Sequence, residues 1–429
     1  MSLLLKNCKL IHRGKNVIRN IFIENGIIRK ITTENMRADA VINARHNYVI
    51  PGMIDSHVHF RAPGSEYKED FFTGSRAAAA GGVTTVLDMP NTPLPTTSLR
   101  ALMEKRQAAK KSIVNYGFHF GATMENSGEI RNSSKYNVAS VKVFMGSSTG
   151  NLLINDDGRL YEIFCDSKLN TIHAENEDLI GYFEEKYRRK TNYDLHCDIR
   201  NNLTAYTAVS KAISLSRACS NKLYFCHVST RQEISMLKDE AAYVEITPHH
   251  LFLAREDMKT LGNFGKMNPP LRSKDDQTAL WEAINDGTAD TIGSDHAPHL
   301  PQEKNAPYKK APSGVPGVET SLPLMLDAVN RGLLALPRLV ELTSINPARI
   351  FGIKNKGLIK EGYDADLVII DMDMEKRIRN ENLFTKCGWS PFDGRKVRGW
   401  PVTTIVNGNV VFHEGKVYDR KRGKEVEFE

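Results

Sequence analysis

The hydrophobic pattern of the chain changes character twice. Over residues 1–50, short apolar runs at 3–11 and 17–23 alternate with turns, one of them Glu24-Asn25-Gly26. This is the pattern of strands joined by tight connections. The same texture returns at 365–370, 402–406 and 410–413, with Asn407-Gly408 as a hairpin turn. Between these ends, apolar runs recur at 53–59, 83–88, 113–121, 138–144, 170–174, 222–227, 243–247 and 288–295. Helical patterns lie among them at 70–81, 98–111, 201–219 and 231–240, and a last one at 318–331. Alternation of this kind predicts parallel strands with helical crossovers. About eight such units fit a (β/α)8 barrel, typically about 250 residues plus insertions. A doubly wound open sheet is the alternative, but the glycine-rich phosphate loop that usually follows its first strand is missing. The expected architecture is therefore α/β. A (β/α)8 barrel spans 51–350, and a small composite β-sandwich domain is built from 1–50 plus 351–429.

Composition narrows the class of protein without choosing a function. Of 429 residues, 41% are hydrophobic and 25% charged, close to globular averages, which excludes a disordered or collagen-like chain. The net charge of +7 is mild for this length; it favours anionic small molecules and gives no footprint for nucleic acid. No apolar run approaches the roughly 18 residues of a membrane span, and the start, Met1-Ser2-Leu3-Leu4-Leu5-Lys6, is too short for a signal peptide. Cys8, Cys165, Cys197, Cys219, Cys226 and Cys387 are scattered, with no CxxC pair. They are expected to be reduced, buried and incidental in a cytoplasmic protein.

Chemistry concentrates at the ends of the predicted barrel strands. Asp55, His57 and His59 lie at i, i+2 and i+4, so an extended backbone turns all three to one face. His173, His227 and Asp295 close three other strands. Barrel active sites form at this C-terminal end, and imidazoles gathered there can bind metal, with Asp55 bracing the site. Lys142 sits inside the apolar run Val141-Lys142-Val143-Phe144, where a charged amine is costly. A neutral amine there can add carbon dioxide and become a carbamate that bridges two divalent ions. His57, His59, the bridge and Asp295 would then hold one ion, and the bridge with His173 and His227 the other. Ligation by nitrogen and oxygen suits two Zn2+ ions, with Mn2+ or Co2+ as substitutes.

The run Pro51-Gly52-Met53-Ile54-Asp55-Ser56-His57-Val58-His59-Phe60-Arg61-Ala62-Pro63-Gly64 resembles the opening of the cyclic amidohydrolases, the dihydroorotases in particular. Met89-Pro90-Asn91-Thr92, Met267-Asn268-Pro269-Pro270-Leu271-Arg272 and Ser294-Asp295-His296-Ala297-Pro298-His299 look like further motifs of that family, in the same order. The resemblance implies a TIM-like metal-dependent hydrolase barrel with two zinc ions. The reaction it implies is the interconversion of L-dihydroorotate and N-carbamoyl-L-aspartate in pyrimidine synthesis. A hydroxide shared by the metals would attack the ring amide, with Asp295 as base and then acid. Arg61 offers a planar fork for the substrate carboxylate and, two residues after His59, would share its face on an extended backbone. Asn91 and His299 resemble its other partners, and Asn268 the residue that reads the ring amide through its backbone. The segment 300–317 resembles a substrate-covering loop, with Ser313 and Gly314 making backbone contacts.

Two departures stand out. Ala62 replaces a glutamate common in dihydroorotases, and Asp156-Asp157 is a second candidate for the bridging carboxylate. The surroundings of Lys142 favour the lysine, leaving Asp156 and Asp157 to cap a helix. His12, His46, His119, His196 and His413 read as surface or core residues, and His249 and His250 receive no ligand role. A hydantoinase, dihydropyrimidinase or allantoinase would share the metal set; Arg61, Asn91 and His299 discriminate against substrates without an acid group. A catalytically silent scaffold is the remaining alternative. The expected partner is a carboxylate-bearing small molecule, with no nucleic acid or membrane, and the expected assembly is a homodimer.

Overall fold

The computed structural model describes residues 2–12, 14–147, 151–219 and 221–429. The side chain of His12, expected at the surface or in the core, lies outside the described residues. Strands β1 (Ser2–His12), β2 (Lys15–Glu24), β3 (Ile27–Thr32), β4 (Ala40–Asn43) and β5 (Tyr48–Pro51) come first. They share one sheet with β15 (Leu367–Arg377), β16 (Lys396–Val406), β17 (Asn409–His413) and β18 (Lys416–Val417) from the other end of the chain. The join is β5 beside β15, antiparallel, with Val49 opposite Ile369. Their alternate side chains bury a core of their own, containing Leu3, Leu5, Ile21, Ile23, Leu367 and Ile405.

The barrel is made by β6 (Met53–Val58), β7 (Val83–Asp88), β8 (Asn115–Phe118), the short β9 (Phe120–Gly121), β10 (Val141–Phe144), β11 (Leu169–His173), β12 (Lys222–Phe225), β13 (Tyr243–Ile246) and β14 (Thr291–Ile292). Neighbouring strands pair in parallel. Closure of the last strand on the first is carried by the parallel bridge of Val58 with His296. Each predicted strand is present, and helix boundaries follow local chemistry. Asp70 caps Phe71–Ala80 and Ser98 caps Leu99–Ala109 through side-chain oxygens that accept from the first-turn N–H groups. Helices Asp157–Asp166, Glu177–Lys186 and Lys274–Asp286 add to those read from the pattern.

One expectation fails. Cys165 and Cys219 form a disulfide, so not every thiol is free. Helix Asp157–Asp166 packs against Asn202–Cys219, which brings cysteines 54 residues apart in sequence to a Cα separation of 4.9 Å, within bonding range. Cys8, Cys197, Cys226 and Cys387 are free and buried. No helix among the described residues is long and apolar enough to cross a membrane.

Candidate active site

A cavity of about 280 Å³ opens at the C-terminal mouth of the barrel. His57 and His59 from the end of β6, Lys142 from β10, His173 from β11, and His227 and Asp295 just beyond β12 and β14 line it. Arg61, Asn91, Asn268, His299, Ser313 and Gly314 line it too, so every proposed site residue comes to one place. Asp156 and Asp157 do not. Asp156 caps its helix by accepting from Arg159 N–H at 2.7 Å, and Asp157 pairs with Lys211 at 2.7 Å. Asp55 braces the first strand, accepting from the N–H groups of His57 at 3.2 Å and Ser294 at 3.0 Å.

The backbone near the site is less extended than the strand pattern implied. Arg61 has φ 62°, His227 φ 38° and Asp295 φ 44°, in the left-handed region that side chains other than glycine seldom adopt. The expectation that Arg61 continues the β6 face is therefore corrected: the strand ends at Val58, and a turn carries the guanidinium into the pocket. Strain of this kind persists where the surrounding structure fixes a functional side chain.

Hydrogen-bond chemistry fixes the histidine tautomers. A carboxylate can only accept, so His57 Nδ1, 2.7 Å from Glu245 Oε1, carries the proton. His59 Nδ1 donates likewise to Asn91 Oδ1 at 2.7 Å. Both Nε2 lone pairs then face Asp295 Oδ1, at 3.2 Å and 3.0 Å. Three acceptors converge on one point, an arrangement that calls for a cation. On the far side, His173 Nδ1 and His227 Nε2 are 2.9 Å apart, and His173 Nε2 lies 3.1 Å from Glu175 Oε2, which leaves Nδ1 to face the pocket. His57, His227 and Asp295 offer ligand atoms within 4.8 Å of one another. The donor set and its tautomers, each imidazole backed by an outer acceptor, fit a divalent metal centre.

Several contributors escaped the sequence reading. Glu245 orients His57 and accepts from the His227 N–H at 3.0 Å and from the Tyr224 hydroxyl at 2.7 Å. Gly293 leaves it room, since a Cβ there would lie 2.4 Å from Glu245 Oε2. The available signal was a carboxylate within the apolar strand Tyr243–Ile246, the same kind of signal that drew attention to Lys142. Glu175, buried beside His173 and paired with Arg200, is held at about 2 because Arg200 and His173 outweigh its burial. Cys226 is not incidental: Lys142 Nζ donates to its sulfur at 2.9 Å. His196, read as a bystander, touches Asn268 Oδ1 at 2.8 Å and the Tyr308 hydroxyl at 2.9 Å.

The rim of the pocket is built differently. Buried Lys304 donates to the carbonyls of Lys266, Pro312 and Gly314 at 2.9–3.0 Å, and Lys266 donates to those of Tyr308 and Ala311. Burial pushes Lys304 down to about 7 and Lys266 to about 8. The segment carrying Ser313 and Gly314 is thus pinned from within. Gly314, at φ 134°, packs so closely that a Cβ would lie 2.7 Å from the Ala297 carbonyl oxygen.

Histidines, a carboxylate and a lysine at the mouth of a parallel barrel, beside a composite β-sandwich, define a metal-dependent barrel hydrolase. The sequence fits the amidohydrolase family over residues 48–411, and the chain belongs to that family. It is 41% identical to a dihydroorotase of Methanosarcina acetivorans over 96% of this chain and 92% of that one. It is 36% identical to a dihydroorotase of Pyrococcus abyssi over 97% of each. Among solved structures, the L-hydantoinase (dihydropyrimidinase) of Arthrobacter aurescens superposes with a TM-score of 0.95 at 31% identity, covering 99% of both chains.

Proposed function

We propose that this chain is a dihydroorotase, catalysing the reversible ring opening of L-dihydroorotate to N-carbamoyl-L-aspartate, a step of pyrimidine synthesis. The observation that carries the reading is a pocket with two poles. Acceptors converge on Asp295, and a few residues away Arg61 Nη2 and His299 Nε2 converge at 3.1 Å. The first suits a cationic centre and the second an anionic group, as a ring amide bearing a carboxylate requires. The relatives named dihydroorotase, at 35–41% identity over nearly the whole chain, support the same reading.

His57, His59 and Asp295, with His173 and His227, would hold two zinc ions, and Lys142, carrying a carbamate derived from carbon dioxide, would bridge them. Such a pair supplies Lewis acidity at the amide carbonyl and lowers the pKa of water toward neutrality. Asp295, ionised and facing the histidines, takes the proton of the attacking water and returns it to the ring nitrogen as the C–N bond breaks. Arg61, His299 and Asn91 hold the carboxylate, and Asn91 also keeps His59 oriented through its Oδ1. Asn268 and the pinned Ser313-Gly314 backbone are placed to meet the ring. In the synthetic direction the same groups act in reverse order. The enzyme works in the cytoplasm as a homodimer in this reading.

The hydantoinase and dihydropyrimidinase folds among the solved neighbours favour a second reading, hydrolysis of rings without an acid group. Arg61→Ala separates the two. Activity on dihydroorotate is expected to fall by about 10²-fold or more, the cost of losing a charge-assisted pair to a buried anion. Near-wild-type turnover of dihydroorotate by that variant rejects the assignment.

A further inference from the structure

Beyond the groups that would touch the carboxylate lies one that decides how they do so. We infer that Lys68 is a positioning residue: it fixes His299 in the Nε2–H tautomer and so makes that ring a hydrogen-bond donor to the substrate carboxylate. The inference rests on the functional reading above only for the identity of the anion.

An ammonium has three donors and no lone pair. Lys68 Nζ lies 3.0 Å from His299 Nδ1, so Nδ1 must accept. The imidazole is neutral, because burial, Arg61 and Lys68 all oppose a charge on it. Its single proton therefore sits on Nε2, which points into the pocket. There Nε2 is 3.0 Å from the Ser313 carbonyl oxygen and 3.1 Å from Arg61 Nη2. The contact with Ser313 is a hydrogen bond. The contact with Arg61 places two donors face to face, and a carboxylate entering between them accepts from Arg61 and takes over the Nε2–H that the Ser313 carbonyl holds in its absence.

Lys68 is itself held by Glu303, 2.8 Å away, whose other oxygen caps the short helix Pro301–Lys304 by accepting from Leu300 N–H at 2.9 Å. That carboxylate is also the competing partner for His299, since Glu303 Oε2 is 3.8 Å from Nδ1, just beyond hydrogen-bond reach. The Ser313 carbonyl favours the same tautomer, and without Lys68 the charged carboxylate of Glu303 competes with it, drawing the proton to Nδ1. The Nε2 lone pair would then face the substrate carboxylate, replacing an attraction with a repulsion.

The test compares wild type, Lys68→Met and Lys68→Arg as metal-loaded enzymes. For dihydroorotate, Lys68→Met is expected to raise KM about tenfold, the loss of one hydrogen bond to a charged group, with kcat within about twofold. Lys68→Arg, which keeps a cationic donor, is expected to restore most of the affinity. For dihydrouracil, the same ring without the carboxylate, KM is expected to be the same in all three. An unchanged KM for dihydroorotate in Lys68→Met, or an equal rise for both rings, overturns the inference. Independently of any substrate, 15N NMR of histidine-labelled protein, with His299 assigned from a His299→Asn sample, reads the tautomer. Nε2–H is expected in wild type and Nδ1–H in Lys68→Met; the same tautomer in both overturns the inference. A wild type inactive on dihydroorotate would defeat the functional reading alone, because the tautomer measurement still judges Lys68.

Discussion

At one end of the pocket, His57 and His59 turn lone pairs onto Asp295; at the other, Arg61 and His299 turn N–H groups onto each other. The first end stands on barrel strands and their immediate ends, and its side chains are aimed by buried carboxylate and amide partners, Glu245 and Asn91. The second stands on loops, and it is held by lysines that donate to carbonyls and to an imidazole. Strand ends are fixed by the sheet itself, so one outer partner suffices to aim a ligand. A loop has no ladder to hold it, so buried ammonium groups do that work through several acceptors each. The contrast explains how a small cavity can present opposite polarity at two ends without the charges collapsing on one another.

Three substitutions press on this contrast in decreasing size. Lys142→Ala strikes the metal end directly. Its loss of activity is expected to exceed the roughly 10–100-fold typical of removing an outer partner, with partial return when short carboxylic acids are added. Full activity without such acids would refute a bridging role for Lys142. Glu245→Gln keeps an acceptor for His57 but removes the charge that polarises it. Metal affinity, measured by competition with a chelator, should drop about 10–100-fold while the carboxylate end is untouched. Unaltered affinity would mean that packing alone orients His57. Lys304→Met strikes the rim only, stripping donors from three buried carbonyls. A stability loss of about 1–3 kcal/mol is expected, together with faster amide exchange over residues 300–314 and unchanged metal content. Protection equal to wild type in that segment would show that the rim needs no internal pin.

Much of this molecule is legible along the chain because its strands are short apolar runs between amphipathic helices, a pattern that fits few folds besides a parallel barrel. The metal-facing residues stand out for the same reason: His57, His59, Lys142 and His173 are polar groups in runs that should be apolar, and burial there is costly without a role. Glu245 carries the same signal within Tyr243–Ile246, but no motif surrounds it. Lys68, Lys304 and Lys266 carried none, since lysines in polar loop sequence look like any solvated lysine. Their contacts depend on how segments far apart in sequence close over one another. The Cys165–Cys219 bridge was hidden for a similar reason: two helices had to pack before the thiols met.

By itself, the sequence determined the alternation of elements, the parallel barrel with its composite sheet, and which side chains gather at the barrel mouth. Local period and residue type set the elements and the polar groups at the strand ends, and the resemblance to the cyclic amidohydrolases added the residues of the carboxylate end. Only the tertiary structure decided the turn that carries Arg61 inward, the proton positions on His57, His59 and His299, and the pinning of the rim. Each of these depends on a hydrogen-bond partner brought from a distant segment, at distances near 3 Å that periodicity does not encode.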